Sequence, residues 1–236
     1  MSEATRDAAE PLFGSLTRFA LGSVGSKIVM AITGMGLWLF IMAHLAGNAT
    51  VFLGRETFNH YAGALHQTPA LLWFVRICLI IGFPLHIFTA ARTALLNQSA
   101  RPVPYSYGDK APARMAAKSM MLSGLVVVTF FLYHLAHFTW RVTGPMPAPL
   151  PSGEWDAYSM LVLGFQQPVI AGFYVLGQIL LAAHLSHGLY SMFQHLGLWG
   201  RQWTPWIKGA ALVVGYGLCA LFASIPLSVL LGFVQP

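Results

Sequence analysis

The chain has 236 residues, of which 56% are hydrophobic and only 8% charged, against roughly 25% charged in an ordinary soluble domain; too few charges exist to cover the surface of a soluble enzyme. Its mean hydropathy is +0.64, and the charges cluster between long uncharged stretches, the pattern of a polytopic helical membrane protein. A net charge of +6 would point to nucleic acid in a soluble chain, but here the basic residues flank apolar runs, where they set membrane orientation, so no nucleic-acid partner is expected.

The N-terminal stretch MSEATRDAAEPLFGSLTRFALGSVGSK mixes acids with bases and has no early apolar region, so no cleaved signal peptide is expected. Five apolar segments follow, residues 28–53, 70–96, 115–141, 164–193 and 206–234, each long enough to cross about 30 Å of hydrocarbon at about 1.5 Å per residue. They predict an all-α fold of five transmembrane helices forming one domain over 1–236. The connections carry the breakers: a polar run at 54–69, RPVPYSYGDKAP within 98–112, GPMPAPLPSG at 144–153 and GLWGRQWTP at 197–205. No internal repeat is visible and no connection can fold as a catalytic domain, so any chemistry is intramembrane or supplied by partners. Cys78 and Cys219 lie inside apolar runs, with no CxxC zinc pattern and no CxxCH for covalent haem attachment.

Orientation follows from the thirteen Lys and Arg residues. Arg6, Arg18, Lys27, Arg92, Arg101, Lys110, Arg114, Lys118, Arg201 and Lys208 share one side, leaving Arg55, Arg76 and Arg141 for the other. The positive-inside rule then places the N-terminus in the cytoplasm and the C-terminus outside.

Nine histidines are present, and His44, His86, His134, His137 and His184 lie within the apolar segments, with His187 one turn beyond His184. An ionisable residue in lipid is a functional candidate by default, against the plainer alternative of a hydrogen bond between helices. Depth separates the two. His44 is about 24 Å and His134 about 28 Å from the cytoplasmic ends of helices 1 and 3, whereas His86 and His184 are about 15 and 14 Å from those of helices 2 and 4. The histidines therefore pair by level, His44 with His134 on the outer side and His86 with His184 on the inner side. Two levels of two imidazoles, drawn from four helices, are what two bis-histidine haems require, since a haem iron takes one axial imidazole from each side of its plane. Zinc fits less well, because its ligands converge on one point, often with Cys or carboxylate, and the five segments contain no Asp or Glu. His137 and His187, three residues on and on the same helix faces, are the alternative ligands; they lie nearer the helix ends than their partners would, so His134 and His184 rank ahead.

Four spaced motifs, SKIVMAITGMGLWLFIMAHLAGN, FPLHIFTAARTAL, YHLAHFTW and HLSHGLYSMFQHLGL, resemble the cytochrome b membrane anchor of succinate dehydrogenase and fumarate reductase in its single-chain, five-helix, two-haem form. The resemblance covers most of the chain, from about Gly22 to the end of helix 5. It implies axial ligands at the matching positions His44, His86, His134 and His184, with helices 1 and 3 holding the distal haem b and helices 2 and 4 the proximal one. It implies a subunit of an oxidoreductase complex that binds a flavoprotein subunit and an iron–sulfur subunit to a prokaryotic cytoplasmic membrane. Their electrons would pass by way of the haems to or from a quinone, menaquinone being the expected type. The chain has neither a dinucleotide fingerprint nor a cluster-forming cysteine set, so FAD and iron–sulfur clusters would reside on the partners, and the complete complex could form a higher oligomer. Proton-coupled members of the family can carry an acid two positions before the helix 4 ligand; this chain has Ala182 there.

No catalytic residue is assigned. Lys27 with Ser26, Lys118, and His195 with Gln194 fall on the cytoplasmic side, where inner-haem propionates or a quinone headgroup would lie, although interfacial cations also simply snorkel. Trp199, Trp203 and Trp206 read as an aromatic belt, and Gly34, Gly36, Gly172 and Gly177 as close-packing positions. Three other readings compete: the cytochrome b of another quinone-linked dehydrogenase or hydrogenase, a transporter with a histidine proton relay, and a haemless structural anchor whose histidines only hydrogen-bond. Helices without carboxylates and histidines on two levels argue against the transporter.

Overall fold

The computed structural model describes residues 12–100, 112–151, 153 and 155–236. Arg6, Arg101, Lys110 and the N-terminal stretch before Leu12 lie outside the described residues, as do the side chains of Arg114 and Lys118. The described residues are helical with no strand: α1 (Leu12–Leu21), α2 (Ser23–Ala49, continued by a tight turn to Leu53), α3 (Arg55–His66), α4 (Pro69–Ser99), α5 (Pro112–His134, continued by a wide turn to Thr139), α6 (Ala157–Phe165), α7 (Pro168–His195) and α8 (Thr204–Leu230). Five stretches are long and apolar enough to span a bilayer: Ser23–Leu53, Pro69–Ser99, Met120–Thr139, Pro168–His195 and Thr204–Leu230. Their outer faces are apolar, with Ile80 and Ile81 of α4 and Val213 of α8 standing exposed, a surface that only hydrocarbon accommodates. The chain is an integral, multi-pass membrane protein.

Several boundaries differ from those predicted. The first span begins at Ser23 rather than 28, which moves Lys27 into its second turn. The stretch 164–167 belongs to a different element: α6 ends at Phe165, and Pro168, at the first turn of α7, starts a new helix because its missing N–H costs nothing there. The third span stops at Thr139, where the chain widens to i→i+5 bonding, and Arg141 adopts φ 57°. The last span ends at Leu230 instead of 234; Gly232 turns at φ 79°, letting the amide of Phe233 donate back to the Ser228 carbonyl at 2.8 Å. Three elements were not predicted at all, the first being α1. The polar run 54–69 contains α3, an amphipathic helix that buries Phe58, and the chain before 164 contains α6, almost entirely buried.

The arrangement of the long helices is what positions the candidate site. α2 packs against α4 and α7, and α5 packs against α7 and more lightly against α4, so these four form a ring. Across the two diagonals, α2 to α5 and α4 to α7, no comparable backbone packing occurs. α8 lies outside the ring along α7. The two helices come close at Gly215, where an added Cβ would lie 2.8 Å from the Ser186 amide nitrogen. Gly215→Val is expected to destabilise the protein by about 1–3 kcal/mol through overpacking, whereas Gly217→Val, with nothing within 4 Å, is expected to be silent; thermal unfolding in detergent compares the two.

α1 is fastened to the end of the bundle opposite α3 and α6. Arg92 donates through Nε to the Leu21 carbonyl at 2.9 Å, and the buried Ser26 hydroxyl donates to the Ala20 carbonyl at 3.1 Å.

α3, α6 and the C-terminus close the other end through one buried carboxylate. Asp156 is the N-cap of α6, accepting from the Ser159 amide at 3.0 Å, from Asn59 Nδ2 at 2.9 Å and from the Arg55 guanidinium. Asn59 Oδ1 accepts the Tyr158 amide at 2.9 Å, and the Tyr158 hydroxyl donates to the Gln235 carbonyl at 2.8 Å. Burial alone would raise the carboxyl of Asp156, but the donors from Ser159, Asn59 and Arg55 outweigh it and hold it down to about 2. A depressed carboxylate contributes stability above its unfolded value of 3.8 and loses that contribution as pH falls through about 2. Asp156→Asn is therefore expected to cost about 2 kcal/mol near neutral pH, and to differ little from the parent when both are unfolded near pH 2.

Candidate functional site

The four ranked histidines sit one on each helix of the ring, His44 on α2, His86 on α4, His134 on α5 and His184 on α7. They fall on the two diagonals. His44 and His134 face each other with ring centroids 5.7 Å apart and planes at 89°. Two imidazoles so spaced would suit a single metal ion held between them, each binding through one ring nitrogen at about 2 Å. Aromatic rings wall this outer pair: Phe40 stacks on His44 at 5.4 Å, Phe222 lies 6.0 Å from it, and Phe130 and Phe138 flank His134 at 6.2 and 5.4 Å. On the other diagonal, His184 lies within electrostatic range of His86. All four are half-buried.

Hydrogen bonds orient the inner pair and fix the tautomer of His86. The Thr33 hydroxyl donates to the Val29 carbonyl at 2.8 Å, so its oxygen accepts from His86 Nδ1 at 3.3 Å, and the same Nδ1–H reaches the Met30 carbonyl at 3.1 Å. The Ser123 hydroxyl lies 3.1 Å from the Met120 carbonyl and 3.2 Å from His184 Nδ1, and when it donates to the carbonyl it accepts from that nitrogen. With its Nδ1 proton committed to a carbonyl, His86 keeps an Nε2 lone pair, the state of a metal-ligating imidazole held by an outer hydrogen bond, and His184 reaches the same state when Ser123 accepts from it. Glycines admit these rings: a Cβ at Gly34 of α2 would come 3.0 Å from His86 Cε1, and one at Gly124 of α5 would come 3.6 Å from His184 Cε1.

The alternative ligands are placed differently. His137 is fully buried, its Nδ1 bonded to the Tyr174 hydroxyl at 3.1 Å and its Nε2 without a partner. A Cβ at Gly144 or Gly164 would meet that Nε2 at 2.6 or 2.9 Å, so no space for a ligand exists there. His187 sits below His184, 6.4 Å from the Tyr190 ring and in electrostatic contact with His195.

Among the weaker candidates, Lys27 and His195 do come together: Lys27 and His187 both act electrostatically on His195, giving a basic cluster at the α1 end of the bundle. Lys118 lies on α5, but its side chain is outside the described residues. Ser26 is not available to a ligand, because its hydroxyl is buried and spent on Ala20, and Gln194 is exposed. Trp199, Trp203 and Trp206 are all exposed, and Trp199 also packs on Tyr190 at 4.8 Å beside Lys208. Gly34 and Gly177 are close-packed, the latter against Phe130, but Gly36 and Gly172 have nothing within 4 Å and are not packing positions. Ala182 is buried among Leu45, Leu181, Leu185, Leu218 and Cys219, a dry apolar cluster. Among the described residues no three of His, Cys, Asp or Glu converge as a zinc site would need.

Thr33, Ser123 and Tyr174 were missed as histidine partners. Ser123 carried a usable signal, since it lies about 12 Å along helix 3 from residue 115, near the depth of about 14 Å assigned to His184. Compared with protein family models, curated proteins and solved structures, the chain matches none of them.

Proposed function

We propose that this chain is the membrane anchor and electron-transfer subunit of a succinate:quinone oxidoreductase or quinol:fumarate reductase in a prokaryotic cytoplasmic membrane. The observation that carries the reading is the placement of two histidine pairs on the two open diagonals of one four-helix ring, with His86 held in the Nε2-lone-pair tautomer by the Met30 carbonyl. His44 with His134, and His86 with His184, would each hold one haem b. Haem b, when bound, supplies one-electron chemistry between an iron–sulfur cluster on a partner chain and a quinone, here assigned as menaquinone. The chain's own residues do the rest: Thr33, Met30 and Ser123 orient the inner imidazoles, and Phe40, Phe130, Phe138 and Phe222 keep the outer pair in an apolar setting. Lys27 and His195 supply positive charge at the α1 end, where carboxylate groups of a cofactor or a quinone oxygen would be neutralised. Flavin and iron–sulfur clusters belong to partner subunits in this reading.

The test is to purify the protein from its native membrane under mild detergent and identify what accompanies it. A flavoprotein and an iron–sulfur protein are expected, with succinate or a quinol able to reduce bound haem. Copurification with a hydrogenase or formate-oxidising subunit would overturn the assignment to succinate and fumarate chemistry.

A further inference from the structure

Tyr174 of α7 is buried, ringed by Phe130, Tyr133, Phe138 and Phe165 at centroid distances of 5.3, 6.0, 5.8 and 4.9 Å. Its hydroxyl meets two imidazole nitrogens inside this aromatic cage, Nδ1 of His137 at 3.1 Å and Nδ1 of His134 at 3.5 Å. A phenol carries one proton, so it donates to one histidine and accepts from the other. If His134 binds metal through Nε2, its Nδ1 bears the proton and must donate to the Tyr174 oxygen; the phenol proton then goes to Nδ1 of His137.

We propose that Tyr174 is a positioning residue for His134 and that His137 aligns Tyr174, in a chain running from His134 Nδ1–H to the Tyr174 oxygen and from the Tyr174 hydroxyl to His137 Nδ1. The inference rests on the proposal that His134 is an axial haem ligand. It accounts for a feature that packing alone does not. His137 is enclosed by Gly144, at φ 81°, and by Gly164, with Nε2 left unpartnered. A buried orphan nitrogen is costly, and the acceptor it keeps for Tyr174 is what the cost secures. The chain also gives the outer level the equivalent of what Thr33, Met30 and Ser123 do for the inner one. Donation from Nδ1–H makes an imidazole a more basic ligand, which favours ferric over ferrous iron and lowers the potential of the haem it binds.

Optical redox titration of the purified complex tests this, with the inner haem as an internal reference. Tyr174→Phe, which removes the oxygen and keeps the ring, is expected to raise the outer haem's midpoint so that its oxidised-to-reduced ratio at fixed potential falls about tenfold, or about 59 mV for one electron. The inner haem's midpoint is expected to stay in place. His137→Leu should shift the outer haem the same way, and His137→Asn, which restores an acceptor, should bring it back toward the parent value. Selective loss of the outer haem in Tyr174→Phe, with the inner haem retained, would equally support a positioning role, since such partners carry about 10–100-fold in metal affinity. Two haems with unchanged midpoints in Tyr174→Phe would overturn the inference and leave the function standing. A parent protein without haem would instead overturn the function itself.

Discussion

Replacing His44 or His134 with alanine is expected to leave one haem per chain instead of two, and replacing His86 or His184 is expected to remove the other one. The expectation follows from the diagonals. His44 and His134 lie 5.7 Å apart across helices with no comparable backbone packing, and His86 and His184, proposed as the second pair, sit on the helices of the crossing diagonal. Truncating one imidazole takes away half of an axial pair without touching the other. Because α2 still packs against α4 and α7 at many other positions, the bundle is expected to survive each change. Difference spectra of the four variants would show two classes, His44 with His134 and His86 with His184. If His44→Ala and His134→Ala removed different haems, or if either removed both while the fold stayed intact, the pairing would be wrong.

Gly34→Leu is expected to remove the inner haem while sparing the outer. Even a methyl group at Gly34 would sit 3.0 Å from His86 Cε1, closer than side chains normally approach, and a leucine must displace the ring. His86 would then lose its bonds to the Met30 carbonyl and Thr33 hydroxyl, and the outer partners of a metal-binding histidine carry about 10–100-fold in metal affinity. Gly36→Leu serves as the control, since Gly36 is exposed with nothing within 4 Å. Haem content of the two variants, measured beside thermal stability, separates displacement of His86 from general unfolding. Equal haem content in Gly34→Leu and Gly36→Leu would show that the ring of His86 is not held where the geometry puts it.

The long elements were legible because apolar length and charge clustering are strong signals. Five spans could be read directly, and depth counting at about 1.5 Å per residue brought His44 together with His134 without any knowledge of packing. What the sequence hid were features with weak periodicity or ambiguous ends. α3 reads as a polar connection because only Phe58 is buried along it, and α6 is apolar on every side, so it merges by composition into the span that follows. That merging had a consequence for the site. With the fourth helix started at 164, Tyr174 falls about 15 Å from the outer face, away from His134 at about 10 Å; with Pro168 as the true start it falls about 9 Å in, beside it. Gly144 and Gly164 were equally invisible, since their role is to enclose His137 and depends on a loop and a short helix folding back over α5.

The central claim is that the two diagonals each hold a haem, and the pyridine haemochrome spectrum of the purified protein, quantified against the amount of this chain, tests it most directly. The account predicts two b-type haems per chain. One haem would leave a histidine pair without the role assigned to it, and a well-folded preparation with none would contradict the account.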